Sequence, residues 1–211
     1  MRVIRPLAVA LVAAILYVAL GHAVSHGPPY GIDLAGRALA GQGPNGPAPH
    51  LALLFTRSCL WYVLVVLGAV AVAVAIRFPA WRGRVIYALP TTLITWQLSD
   101  ALKVLFGRPR PEYWKLIHEP TFAYSSGHAM FAVLVYWLWA WFIWNSDLPR
   151  GVRIVVAPFL ALWGCGVIWS RLALGAHYVT DLIGGILLAA TALGVASAIG
   201  AAFRRRAARP A

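Results

Sequence analysis

Acidic residues are the scarcest feature of this chain of 211 residues: six Asp+Glu stand against eighteen Lys+Arg, and only 11% of the residues are charged. Soluble domains carry about 25% charged residues, so the deficit argues against a water-soluble globule. Cysteine is scarce as well. Cys59 and Cys165 both lie inside apolar runs, where they supply neither a disulfide framework nor a zinc spacing and read as two buried small apolar residues. Disorder is excluded by a hydrophobic share of 61% with ten tryptophans, far too apolar for an unfolded chain. The net charge of +12 does not indicate nucleic acid, because a basic face needs a soluble body to carry it. Here the arginines fall between apolar runs and read as membrane punctuation. The length fits one domain over residues 1–211.

Long apolar runs are what the chain does contain. A bilayer crossing takes about 20 mostly apolar residues, and six runs qualify: Leu7–Val24, Ser58–Ile76 (with an earlier start near Leu51 open), Val85–Phe106, Ala129–Trp144, Ile154–Ser170 and Leu182–Phe203. Lipid offers the backbone no hydrogen-bond partners, so these runs predict helices and an all-α polytopic membrane protein of six transmembrane helices. Arg2 and Arg5, then Arg77, Arg82 and Arg84, then Arg150 and Arg153, and finally Arg204, Arg205, Arg206 and Arg209 mark four connections. The positive-inside rule makes these cytoplasmic, with both termini inside, as an even span count requires. Segments 25–57, 107–127 and 171–180 then lie outside. The opening run has the flanks of a signal peptide but is long for one, and its removal would leave an odd count. Within the Gly/Pro-rich segment 27–48, residues Ile32–Ala40 are amphipathic and read either as an interfacial helix or as part of a plain tether.

Ionisable residues at membrane depth are costly, and mark function by default. Lys103, His128, Arg171, His177 and Asp181 all stand at helix mouths on the outer face of this topology. With Arg108 and Arg110 they make a cationic pocket, to which a helix start at Ser126–Gly127–His128 adds backbone N–H donors. Arginine forks match phosphate oxygens in pairs, so phosphate is the natural ligand, with sulfate and carboxylate open on charge alone. His177 and Asp181 are four apart and share one helical face. A carboxylate on one imidazole nitrogen fixes the tautomer and frees the other nitrogen to attack. His128 is then available to protonate a departing alkoxide. Two buried histidines bonding between helices are the plainer alternative, and the adjoining carboxylate and cations argue against it.

Three stretches carry a family resemblance: Lys103-Val-Leu-Phe-Gly-Arg-Pro-Arg110-Pro111, then Ser125-Ser126-Gly127-His128, then Ser170-Arg171-Leu-Ala-Leu-Gly-Ala-His177-Tyr-Val-Thr-Asp181. Together they resemble the signatures KxxxxxxRP, PSGH and SRxxxxxHxxxD of the PAP2 (type 2 phosphatidic acid phosphatase) superfamily, over about residues 100 to 182. Ser125 stands where proline is usual, which predicts a looser turn before Ser126. The resemblance implies a six-helix membrane core with its site at the extracytoplasmic face of a bacterial plasma membrane. It implies His177 as nucleophile and phosphohistidine, Asp181 as its partner and His128 as acid. Lys103, Arg110, Ser126, Gly127 and Arg171 are implied as the phosphate-binding set. No cofactor and no metal is implied, since fixed cations balance the charge, and vanadate is expected to inhibit.

The expected partners are a lipid phosphate substrate and membrane lipids, with no nucleic acid. Polyprenyl diphosphate (undecaprenyl diphosphate in bacteria), phosphatidylglycerophosphate, phosphatidate and lipid A phosphates all fit, and the small architecture suits carrier-lipid recycling. Phosphotransfer to an acceptor alcohol, or binding and transport without turnover, are the other readings. Asp100, three residues before Lys103, either pairs with it structurally or supports it at the site. Arg108 reads as a second phosphate contact or a headgroup anchor. Glu112, Lys115, His118 and Glu119 read as solvated loop or headgroup contacts, and His22, His26 and His50 as interfacial. Trp137, Trp139, Trp141 and Trp144 read as an aromatic belt, and Arg204–Arg206 as an inside anchor touching anionic lipid.

Overall fold

Backbone groups in hydrocarbon must be satisfied along their own segment, and the apolar runs accordingly form helices. The computed structural model describes residues 3–40, 48–111 and 119–207 and is all-α, with no strand among the described residues. Its helices are α1 (Ile4–Ser25), α2 (Gly31–Ala40), α3 (Ala48–Arg57), α4 (Trp61–Arg77), α5 (Arg82–Phe106), α6 (Gly127–Phe131), α7 (Leu138–Trp144), α8 (Arg150–Ala173) and α9 (Val179–Ala207). A π-helical stretch, Ala132–Trp137, joins α6 to α7, making one apolar helix from Gly127 to Trp144. Glu112, Lys115, His118 and Arg209 lie outside the described residues.

All six predicted runs lie in helices, but they do not all qualify alike as spans. Among the described residues α1, the Gly127–Trp144 helix, α8 and α9 are long and apolar enough to cross a bilayer. The second run, Ser58–Ile76, is essentially α4, and only with the preceding helix across a 49° bend, Pro49–Arg57 with Trp61–Arg77, does it make a fifth span. At 17 residues α4 alone covers about 26 Å, short of a hydrocarbon core of about 30 Å. The third run, α5, is 25 residues long, yet Thr91, Thr92, Thr95, Gln97, Ser99 and Asp100 dilute its apolarity. Its threonine hydroxyls donate to the carbonyls four residues back, at 2.6 Å from Thr91 and Thr95 and 2.8 Å from Thr92, so they carry no unmet donor into the bilayer.

Small residues set the packing, as expected where lipid removes the hydrophobic drive between helices. The buried stripe of α1, Ala10, Ala13, Tyr17, Gly21 and Val24, meets α9 at Ala10, beside Gly194, and the Phe106 and Tyr124 rings at Tyr17 and Gly21, while Leu7, Leu11, Ile15 and Val18 face outward. Tyr17 and Val24 join Tyr124, Met130, Phe131, Leu134, Val167 and Leu188 in the main core. Two sequence expectations are corrected in this packing. Trp137 is not a belt residue, since its indole donates to Ala161 O at 3.0 Å, and Trp139 stacks on Trp81 at 6.5 Å; of the four only Trp141 and Trp144 are exposed. Cys59 is buried, but Cys165 is exposed on the surface of α8, because the apolar run that hides a cysteine from water need not hide it from lipid.

α6 reaches α9 at Gly185, where any Cβ would strike the Ser126 carbonyl oxygen and come 3.0 Å from Ala129 Cβ. A backbone atom cannot rotate away, so Gly185→Ala must move α6 bodily. The expected cost is about 2–3 kcal/mol, read as a lowered melting temperature in detergent micelles.

Candidate active site

Helix ends do the positioning. α5 stops at Gly107, whose φ of 60° is left-handed and whose N–H donates to Lys103 O at 3.0 Å, a helix stop that glycine adopts without steric penalty. The chain then turns Arg108 and Arg110 back over the end of the bundle. α6 begins at Ser126, whose hydroxyl oxygen accepts from Ala129 N and whose own N–H donates to Asp181 O at 3.0 Å. Ser125 is fully buried, with its hydroxyl 3.4 Å from that of Tyr17.

His177 sits in the short connection between α8 and α9, where the Ala176 and His177 N–H groups donate to Arg171 O at 3.0 and 3.3 Å. Arg110 Nη1 lies 3.1 Å from His177 Nε2. A guanidinium has only donors, so Nε2 must be the accepting, unprotonated nitrogen. The proton then belongs on Nδ1, which faces Asp181 Oδ2 at 3.5 Å without a well-formed hydrogen bond. Burial, and then Arg110, Arg171, Lys103 and His128, hold the His177 imidazole well below its ordinary range. It is a neutral base with its lone pair aimed into a cationic site.

The cations converge there. Arg110 is fixed by Thr121 O at 2.6 Å, Thr121 Oγ1 at 3.1 Å, Phe122 O at 3.3 Å and Ala176 O at 2.8 Å. Arg171, 1% exposed, donates to Thr56 Oγ1 on α3 and to Glu119. Lys103 Nζ hangs over Gly127, 3.7 Å from where a Cβ would be, and 3.5 Å from the half-exposed Asp100. His128 lies in the field of Arg171, Lys103 and Arg110. All eight residues singled out from the sequence thus meet at one end of the bundle.

Arg108 corrects the sequence reading. It is no phosphate contact and no headgroup anchor, being 2% exposed and consumed by Asp33 at 3.0 Å, by Asp181 and by Thr180 Oγ1 at 2.7 Å. Asp33, Thr56 and Thr180 are the site-bordering residues that the sequence reading missed, and Glu119, read there as solvated loop or headgroup contact, pairs with Arg171. The scarcity of acid was the available signal: four of the six acidic residues, Asp33, Asp100, Glu119 and Asp181, border this site. Glu119 stands where an anion would. Burial alone would raise its carboxyl, but Arg171 and Arg110 beside it hold it below its ordinary value.

The PAP2 superfamily profile matches residues 60–205. "Phosphatidylglycerophosphatase B" of Bacillus subtilis is 36% identical over 96 residues, covering 43% of this chain and 45% of that protein. The Escherichia coli K12 protein of the same name is 37% identical over 79 residues, covering 37% of this chain and 29% of its own length. The chain thus spans less than half the length of these curated relatives. The crystal structure of a transmembrane PAP2-type phosphatidylglycerolphosphate phosphatase from Bacillus subtilis superposes with a TM-score of 0.72 at 22% identity, covering 95% of this chain and 98% of that one, and so shares the fold. With helices apolar enough to span a bilayer and a family match over more than half its length, this chain is an integral membrane protein that belongs to the PAP2 superfamily.

Proposed function

We propose that this protein is a metal-independent lipid phosphate phosphatase working through a phosphohistidine. The observation that carries the reading is the neutral His177 imidazole whose Nε2 accepts from Arg110 at 3.1 Å: a phosphoryl oxygen that takes over that N–H releases the Nε2 lone pair for attack, beside the cations that would bind the other oxygens. In the first step Nε2 attacks phosphorus, the P–O bond to the leaving group breaks, and His128 gives its proton to the departing alkoxide. In the second, water attacks phosphorus, His128 takes the water proton, the P–N bond breaks and inorganic phosphate leaves. Asp181 faces Nδ1 and supports the positive charge that grows on the ring. Lys103, Arg110, Arg171, Ser126 and the Gly127 N–H neutralise the phosphoryl oxygens, a task that magnesium performs in other phosphoryl-transfer sites.

Phosphatidylglycerophosphate is the first substrate to test, because both named relatives are phosphatidylglycerophosphatases. The site would open outside the cytoplasm, since the arginines at 77, 82, 84, 150 and 153 mark the other ends of the same helices. Six spans with both termini inside follow if α5 and the bent α3–α4 pair both cross. A transporter has no use for a carboxylate-backed histidine beside a second histidine, so turnover is the better reading. The test is phosphate release from phosphatidylglycerophosphate, phosphatidate and undecaprenyl diphosphate in detergent with EDTA. Turnover in the wild type and none in His177→Ala is expected, while dependence on added metal would remove the clamp argument.

Glu119 makes a further expectation. Its carboxylate pairs with Arg171 and lies 3.8 Å from Arg110, so an incoming oxyanion must displace it. Glu119→Gln should bind orthovanadate about tenfold more tightly, because an ionic contact of about 1.4 kcal/mol need no longer be broken. The same variant should melt at a lower temperature without ligand, since Arg171 is left without its counter-charge. Because the Glu119 pKa is depressed, the pair stabilises the fold above the ordinary glutamate range and is lost as pH falls through the lowered value. The melting difference between wild type and Glu119→Gln should therefore vanish in acid.

A further inference from the structure

Arg108 stands between two carboxylates, and only one of them belongs to the proposed catalytic helix. Its Nη1 donates to Asp181 Oδ1 and, at 2.7 Å, to Thr180 Oγ1; its Nη2 reaches Asp33 Oδ2 at 3.0 Å. Asp33 is on α2, in the outer segment that precedes every signature of the family. It is 1% exposed, and its oxygens accept from Thr180 N at 2.9 Å, from Thr180 Oγ1 at 2.9 and 3.0 Å, and from Tyr30 N at 3.3 Å. α2 also fits sterically against the start of α9, because a Cβ on Gly36 would strike Val179 Cγ2. Three consecutive residues of α9, Val179, Thr180 and Asp181, are thus tied to α2 directly or through Arg108.

Apolar contact alone would dock an amphipathic helix at less cost than a buried carboxylate, which loses its hydration. The charge arrangement is what the carboxylate adds. One guanidinium shared by two carboxylates leaves that trio with a net charge of −1. Without Asp33, Arg108 would neutralise Asp181 alone and weaken the negative field at His177 Nδ1, 3.5 Å away. Attack by His177 on phosphorus makes the imidazole ring positive, so that field is worth most in the transition state.

We propose that Asp33 is a positioning residue for phosphoryl transfer: acting through Arg108 and Thr180, it fixes the Asp181 carboxylate and keeps its negative charge facing His177. The inference rests on the phosphohistidine reading above and deepens it. It assigns the outer segment around α2 a part in the reaction rather than that of a tether.

The test uses the full chain in dodecyl maltoside with phosphatidylglycerophosphate as probe. Asp33→Asn should lower kcat by about 30-fold with KM within about twofold, the scale on which partners of reacting groups act. Arg108→Gln should lower kcat by at least as much. Adding Asp33→Asn to Arg108→Gln should cost less than about twofold more, because the second change removes a partner already lost. Asp33→Glu should recover part of kcat. If Asp33→Asn fails to fold, Thr180→Val takes its place: it keeps both charges, removes the hydroxyl linking them, and should lower kcat several-fold at constant KM. The proposal is overturned if kcat per folded molecule stays within twofold of wild type in Asp33→Asn, or in Thr180→Val where that variant replaces it. Losses that multiply in the double variant, or that appear in KM alone, also overturn it. Wild type and His177→Ala run beside them: turnover by His177→Ala ends the phosphohistidine reading itself, whereas an inactive His177→Ala with an unimpaired Asp33→Asn ends only the role of Asp33.

Discussion

His177→Ala is expected to lower kcat toward phosphatidylglycerophosphate by about ten-thousand-fold or more, the scale at which a covalent nucleophile is lost. No neighbour replaces it. Arg110, Arg171 and Lys103 stay protonated and have no lone pair to offer, and the Asp181 oxygens are occupied by Arg108 and by Tyr178 N at 2.8 Å. The cations are held independently of the imidazole: Arg110 keeps Thr121, Phe122 and Ala176, and Arg171 keeps Thr56 and Glu119. Inorganic phosphate should therefore bind the variant within a few-fold of wild type. Quenched reactions with radiolabelled substrate provide the direct measurement. An acid-labile, alkali-stable phosphoprotein should appear in the wild type and be absent from His177→Ala. A labelled variant, or one that turns over, would move the nucleophile elsewhere.

The parts of this molecule that were legible in the sequence are those written in local chemistry. Apolar runs forced helices, because no other backbone arrangement is satisfied in lipid. Six of the eight signature residues announced themselves as ionisable groups where charge is expensive, and Ser126 and Gly127 as the helix start that adds backbone donors beside them. What was not legible depended on partners far along the chain. Asp33 meets Thr180 across 147 residues, and Arg171 meets Thr56 across 115; no spacing rule reaches that far. Arg108 and Arg110 are two residues apart and chemically identical, yet one is consumed by carboxylates and the other faces His177. Only the turn after Gly107 tells them apart. The count of spans was legible only in part, for a related reason. Hydropathy counts residues but is blind to direction, so it left open whether the second run starts near Leu51, on the far side of the 49° bend between α3 and α4. It also credited α5 with an apolarity that its threonines and Asp100 reduce.

The leaving group separates the two histidines. His128→Gln should lower kcat for phosphatidylglycerophosphate by about a thousand-fold, within the range of a lost general acid, because a glycerol alkoxide is a poor leaving group without a proton. p-Nitrophenyl phosphate releases a stabilised phenolate that needs none, so its first step should survive in the variant at close to the wild-type rate. The second step is different. Water still needs a base to attack the phosphorylated His177, and the base is the same missing imidazole. Stopped-flow traces of His128→Gln with p-nitrophenyl phosphate should therefore show a burst near one equivalent followed by a slow steady state, whereas wild type shows no such accumulation. His177→Ala should show neither burst nor steady state. Equal losses on both substrates with no burst would mean that His128 acts before bond cleavage, in binding rather than in proton transfer. Its position at the first turn of α6, among Lys103, Arg110 and Arg171, argues for proton transfer: an imidazole held beside three fixed cations adds little to anion binding, but it can both give and take a proton.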